Sequence, residues 1–231
     1  MQSRWRAGEA VNPVRRRLWS AAFAGVAACW LWPLAAWNVQ SLQQHMLQRF
    51  GQPGSRRLQS WLELLERLRG KPLNQQLQSV NDFWNTEVMA GRDEQLWGSS
   101  DHWATPLETL GKGAGDCEDF VIGKYFSLLR LGVPAGQMRL IYVRARTGGV
   151  GSTQSIAHMV LGFYATPQAT PQVLDNLVPR IQPASQRPDL TPVFSFNAEG
   201  IYVDGARSAS SDRINRWQGL MARMRQEGFE V

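Results

Sequence analysis

Cysteine is scarce in this chain: only Cys29 and Cys117 occur among 231 residues. Cys29 falls inside an apolar N-terminal run, so the remaining chain holds one thiol and has no internal disulfide. Histidine is nearly as rare, with His45, His102 and His158 the complete set. An excess of basic charge is also lacking once the first 17 residues are set aside. The formal net charge is +6, yet Arg4, Arg6, Arg15, Arg16 and Arg17 against Glu9 account for +4, leaving +2 for all that follows. No later segment interleaves Lys or Arg with aromatics, which argues against a nucleic-acid partner. The glycine-rich run before Cys117 lacks the spacing and the Lys-Ser/Thr ending of a phosphate loop. There is no internal repeat.

What is present starts at the N-terminus. Arg15, Arg16 and Arg17 precede residues 18–37, about 20 residues without a charge. A basic stretch followed by an apolar one reads as a signal peptide or an N-terminal membrane anchor over residues 1–37. A buried core helix is the third reading. The run is long for a signal core and just long enough to span a bilayer, and Leu34-Ala35-Ala36 is a poor cleavage site. Both targeting readings keep the arginines in the cytoplasm and place residues 38–231 in the periplasm. The anchor reading also inserts the N-terminus in the inner membrane. A lone cysteine outside the cytosol is either a liability or a reactive thiol.

Apolar periodicity predicts helices over 56–69 and 72–90, the first preceded by residues 41–50 and a Gly51-Gln52-Pro53-Gly54 break. Their apolar stripes fit core packing. Residues 101–115 read as a loop. A third helix is predicted from Cys117 to about Leu131, stopped by Gly132 and Pro134. Strands are predicted over 138–146, 158–165 and 173–178, with a hairpin around 197–200 in 194–203. Residues 179–192 read as a loop, and 211–228 as an amphipathic final helix. Helices first and antiparallel strands after give an α+β class.

Cys117 stands at a helix start, behind Gly113-Ala114-Gly115-Asp116. Unpaired N–H groups there favour a thiolate and can cradle an oxyanion. A buried structural cysteine is the competing reading. His158 opens an otherwise apolar strand, as a satisfied structural ring or as a base. Asp175, on the next strand across a hairpin loop, is placed to orient it, unless it serves a turn. In that order Cys, His and Asp form a thiol acyl-transfer arrangement. Asp116, Glu118 and Asp119 crowd the thiol with negative charge, which raises its pKa. Either these acids cap the helix, or some of them hold a divalent cation such as calcium, which prefers hard oxygen ligands.

Four segments carry a resemblance: Trp103-Ala104-Thr105-Pro106-Leu107-Glu108, Gly115-Asp116-Cys117-Glu118-Asp119, Ala157-His158-Met159-Val160-Leu161 and Val173-Leu174-Asp175-Asn176. They resemble the bacterial transglutaminase-like cysteine proteases, most closely the periplasmic LapG type, over about residues 81–228. The resemblance implies a papain/transglutaminase-like fold, with the cysteine-bearing helix packed on an antiparallel sheet. It implies Cys117 as nucleophile, His158 as base and Asp175 as its orienting partner. It ties Asp116 and Glu118 to calcium, with Asp101 as a further ligand. Such proteases cut a large surface adhesin near its N-terminus, at an Ala-Ala-containing site, and its release disperses biofilm. A LapD-type inner-membrane receptor, sensing cyclic di-GMP, sequesters them. Residues before 81 carry little of the match, and the 147–155 turn leaves substrate preference open. Three rivals remain for the residues alone: a glutamine-to-amine acyl transferase, a cell-wall amidase with a Cys-His dyad, and a non-catalytic calcium-dependent binding module.

Overall fold

The structure is a computed structural model that describes residues 37–149, 152–203, 206–211 and 214–231. The expected signal or anchor segment therefore lies outside the described residues, apart from Trp37. Among the described residues no helix is long and apolar enough to cross a membrane. The described chain belongs to one compact unit, Pro33–Val231.

Two helices form its base. Helix α1 runs Val39–Leu68 and bends at Gly51, whose φ of 63° lies outside the helical region. The glycine-proline break seen in the sequence is thus a kink that joins two helical stretches. Helix α2 spans Leu73–Glu87. It ends earlier than expected because Met89–Ala90 form strand β1, paired in parallel with β2, Ala114–Gly115. Short helix α3, Asp93–Trp97, follows.

Residues 101–115 are not all loop. Pro106–Lys112 form helix α4. Its start is a capping box: the Glu108 N–H donates to Thr105 Oγ1 and the Thr105 N–H to Glu108 Oε2, both at 3.0 Å. Pro106 occupies the first turn, where a missing N–H costs nothing. The glycines that suggested a loop supply the helix end instead, since Gly113 has the positive φ of a left-handed cap.

Helix α5, Cys117–Arg130, is the central one. It packs against α2 so closely that a Cβ on Gly123 would lie 2.5 Å from the Trp84 ring. A single hydroxyl resolves the polar atoms of this contact. Ser127 Oγ accepts the indole N–H groups of Trp61 and Trp84 at 2.8 and 2.9 Å and donates to the Gly123 carbonyl at 2.6 Å. Its one donor and two lone pairs are all used.

The other face of α5 lies on a seven-stranded antiparallel sheet. Its strands are β3 Met138–Arg146, β4 Ser155–Phe163, β5 Gln172–Leu174, β6 Gln182–Pro183, β7 Leu190–Asn197, β8 Gly200–Val203 and β9 Ala206–Ala209, ordered β6-β5-β4-β3-β7-β8-β9. Strand alternation divides the sheet. Met138, Leu140, Met159, Leu161, Leu174 and Phe196 join the main helical core, while Ile141, Val143, Val160 and Val173 form a separate apolar cluster on the far face. The third predicted strand proves short. It stops at Leu174, because a side-chain network described below takes over at Asp175. The expected 179–192 loop contains β6 and the start of β7. Helix α6, Asn215–Glu227, closes the chain.

Candidate active site

Helix α5 aims its N-terminus at the edge of β4. Strand β5 pairs with β4 only from Leu161 to Phe163, so at His158 and Met159 that edge has no strand beside it. Cys117 sits there, half-buried, with the Met159 backbone N–H directed at its sulfur. Cys117 and His158, 41 residues apart in sequence, are both carried to this region, His158 as the fourth residue of β4 rather than its first.

His158 and Asp175 are both buried, with 3% and 1% exposure. The ring Nε2 and Asp175 Oδ1 are 2.8 Å apart. Taken up by the carboxylate, Nε2 carries the proton and leaves Nδ1 as the basic nitrogen. Asp175 is itself held from three directions. Its Oδ1 accepts the Leu177 N–H at 3.0 Å, and its Oδ2 accepts Arg187 Nη2 at 2.8 Å. Its backbone carbonyl accepts Asn85 Nδ2, also at 2.8 Å. Burial alone would raise the Asp175 pKa. The His158 hydrogen bond and charge, the Leu177 N–H and the Arg187 guanidinium outweigh it and hold the carboxyl below its ordinary value. Arg187 also pairs with Asp189 at 2.7 Å. The remaining histidines lie elsewhere. His102 packs at a tilt on Trp97 with centroids 4.5 Å apart and approaches Glu108 at 3.3 Å, and His45 is on α1.

The thiol is not poised to ionise in this arrangement. Cys117 Sγ donates to Glu118 Oε2 at 2.8 Å. Burial first, then the Glu118 carboxylate, then Asp116 push the Cys117 pKa far above its ordinary value. These acids oppose ionisation of the thiol, and a nearby cation would offset them.

The structure supplies a place for one. Asp93, Asp116 and Asp119 converge, each offering a carboxylate oxygen within 4.8 Å of the others. Asp93 Oδ1 and Asp116 Oδ1 are buried without a hydrogen-bond partner. Burial, then Glu118, Asp119 and Asp93, push the Asp116 pKa up to about 9. Burial likewise raises Asp119 and Asp93. Orphaned oxygens in a cluster of mutually repelling hard donors fit a divalent cation such as calcium. Asp119 also has a structural task, accepting the Ala104 N–H at 2.8 Å and the Asp116 N–H at 3.3 Å.

Of the sequence-derived calcium ligands, Asp116 lies in this cluster. Glu118 borders it but bonds the thiol, and Asp101 makes an ion pair with Arg216 at 2.5 Å. Asp93 was not foreseen. It arrives from α3, which follows the β1–β2 pairing, and nothing in its local sequence marks it. Asp119 carried a visible signal as the third residue after a helix-capping aspartate. Arg187 had none, lying in a proline-rich stretch.

Comparison with known proteins identifies the family and the fold. The sequence model of a family described as bacterial transglutaminase-like cysteine proteinase, BTLCP, matches residues 66–188. Solved structures of Legionella pneumophila LapG are similar over most of the chain. One is 39% identical, covers 82% of this chain and 99% of its own, and superposes with a TM-score of 0.70. A calcium-bound form is 41% identical, covers 80% and 98%, and gives 0.69. An EGTA-treated form is 38% identical, covers 82% and 99%, and gives 0.71. No curated protein matches the chain. The mixed helix and antiparallel-sheet architecture is thus the transglutaminase-like protease fold that the sequence suggested.

Proposed function

The chain belongs to the bacterial transglutaminase-like cysteine proteinases, and from that footing we propose that it is a periplasmic, calcium-dependent endopeptidase. Its substrate is the N-terminal region of a large surface adhesin, cut at an Ala-Ala-type site, and the cut frees the adhesin and disperses biofilm. A LapD-type inner-membrane receptor that senses cyclic di-GMP holds the protease back. The observation that carries the reading is the buried His158–Asp175 pair, 2.8 Å apart, beside a cysteine at a helix N-terminus.

In the proposed mechanism His158 Nδ1 takes the proton of Cys117, and the thiolate attacks the scissile carbonyl carbon. Asp175 holds the ring and stabilises the imidazolium. Backbone N–H groups at the start of α5 receive the developing oxyanion. The tetrahedral adduct collapses and the C–N bond breaks. His158 hands its proton to the leaving amine, which departs and leaves a thioester. His158 then deprotonates a water, which attacks the thioester. The acid product leaves and the thiol regains its proton. Asp93, Asp116 and Asp119 would hold the calcium ion, with Glu118 beside them. Bound there, calcium supplies positive charge that offsets the acids raising the thiol pKa.

The test mixes residues 38–231 with an N-terminal fragment of the adhesin encoded in the same genome, with and without a calcium chelator, beside Cys117→Ala. One discrete cut that needs Cys117 and disappears with chelator is the expected outcome. If wild type leaves the fragment intact in calcium, the adhesin reading fails, and amine incorporation becomes the next assay.

A further inference from the structure

The far face of the sheet, away from α5, holds a cavity of about 430 Å³ that the proposed chemistry does not use. That volume lies in the range of small-molecule sites. Its floor is aliphatic: Ile141, Val143, Val160 and Val173, all buried. Two guanidinium groups line it, Arg139 and Arg187, and no carboxylate does.

The two arginines differ in charge balance. Arg187 is neutralised by Asp175 and Asp189. Arg139 forms no ion pair with a carboxylate among the described residues. It lies between two aromatic rings, 4.8 Å from the Tyr164 centroid and 3.7 Å from that of Tyr202, and both tyrosines also line the cavity. Rings on either side restrict the guanidinium and leave its N–H edge to meet an anion. Arg139 Nε and Arg187 Nη1 are both buried without a hydrogen-bond partner. Arg187 is 4% exposed, so this is an unmatched donor on a buried side chain in the cavity wall. Buried polar atoms of this kind are uncommon and call for a partner.

Position along the strands separates the two ends. Arg139 stands opposite Gly162, and Val143 stands opposite His158. The cavity therefore runs from Arg139 over the aliphatic floor towards the residues that hold the catalytic histidine. Arg187 belongs to both, lining the cavity and donating to Asp175 Oδ2 at 2.8 Å.

We propose that this cavity binds a small apolar carboxylate, with the carboxylate paired to Arg139 and the apolar body laid over Ile141, Val143, Val160 and Val173. Charge complementarity selects the anion, and the aliphatic floor selects its body. Occupancy bears on Asp175 because Arg187 is part of the cavity wall. That coupling rests on the catalytic reading of His158 and Asp175, whereas the binding does not.

Decanoate is the probe, titrated into calcium-loaded residues 38–231 with methyl resonances recorded by NMR. Decanol and decylamine serve as uncharged and oppositely charged controls. The expected result is saturable decanoate binding that shifts the Ile141, Val143, Val160 and Val173 methyls. Decylamine and decanol bind at least ~10-fold more weakly, a difference of one strong ion contact. Arg139→Gln weakens decanoate at least ~10-fold with decanol unchanged, and Arg139→Lys restores most of the affinity. The His158 ring resonances shift together with the cavity methyls. Ala184→Trp, which fills the space from the rim, abolishes the methyl shifts and guards against misreading an Arg139 variant that folds poorly. Equal binding of all three probes, shifts confined to other apolar surfaces, or no binding by decanoate would each overturn the site. Methyl shifts with a silent His158 would overturn the coupling. Neither result depends on whether Cys117 cuts an adhesin.

Discussion

Asp175→Asn preserves the shape of the side chain and removes its charge. In the structure both carboxylate oxygens accept: Oδ1 from His158 Nε2 and the Leu177 N–H, Oδ2 from Arg187 Nη2. An asparagine has one accepting atom for these two positions. If its oxygen faces His158, its NH2 confronts the Arg187 donor. If it flips, the NH2 faces Nε2 and forces the ring proton onto Nδ1, the nitrogen that must accept the thiol proton. The first orientation loses a charge-assisted hydrogen bond, about 1.5–3 kcal/mol, which is roughly 10- to 150-fold in rate. The second installs the wrong tautomer, which in the serine triad lowers kcat by about 10⁴-fold. The Leu177 N–H pulls the oxygen to the His158 side, and the Arg187 guanidinium, which keeps Asp189, pulls it to the other, so both orientations are open. The expected loss in kcat is therefore between about 10 and 10⁴, with KM nearly unchanged. Steady-state cleavage of the adhesin fragment measures it, and the alkylation rate of Cys117 by iodoacetamide should fall in parallel. A folded Asp175→Asn protein with kcat within about threefold of wild type would refute the assignment of Asp175 as the orienting group.

Two further predictions concern buried charge. Calcium binds deprotonated carboxylates, and burial with the neighbouring acids pushes the Asp116 pKa up to about 9, which favours its protonated form at pH 7. Calcium binding at pH 7 should then release protons, and affinity should rise as pH climbs towards 9. Calorimetry in buffers of different ionisation enthalpy reads this directly, and Asp116→Asn should reduce both the affinity and the proton release. Lys124 is fully buried, its Nζ has no hydrogen-bond partner, and burial lowers its pKa from 10.5 to about 7. Between those values the unfolded chain binds the extra proton, so wild-type stability rises with pH across that window. Lys124→Met should raise the denaturation midpoint most at and below pH 7, and the advantage should shrink as pH approaches 10.5. Denaturant melts of both proteins at pH 7 and 9.5 test the sign.

Much of the site was legible because its chemistry is carried by local signals. Asp116-Cys117 before an apolar periodic stretch marks a thiol at a helix start, and the helix begins there. His158 stands out as one of three histidines, and the only one placed in a strand. The helix over 106–112 was missed because two glycines outweighed a capping box that was present in the letters Thr105-Pro106-Leu107-Glu108. The strand at 173–178 was overextended because apolar alternation cannot register that Asp175 leaves the ladder to bind His158 and Arg187.

The sequence by itself determined most of the element types, the cysteine at a helix start and the family, since periodicity, capping and motif spacing are properties of neighbouring residues. The tertiary structure decided which distant groups share a site. Asp93 joins Asp116 and Asp119 through the packing of α3 beside the β1–β2 pair. Arg187 reaches Asp175 because the proline-rich segment folds back along β5. Side-chain hydrogen bonds and metal coordination demand that the atoms approach within about 3 Å. Such partners are therefore chosen by where the chain returns in space, and that is set by the packing of the helices and sheet.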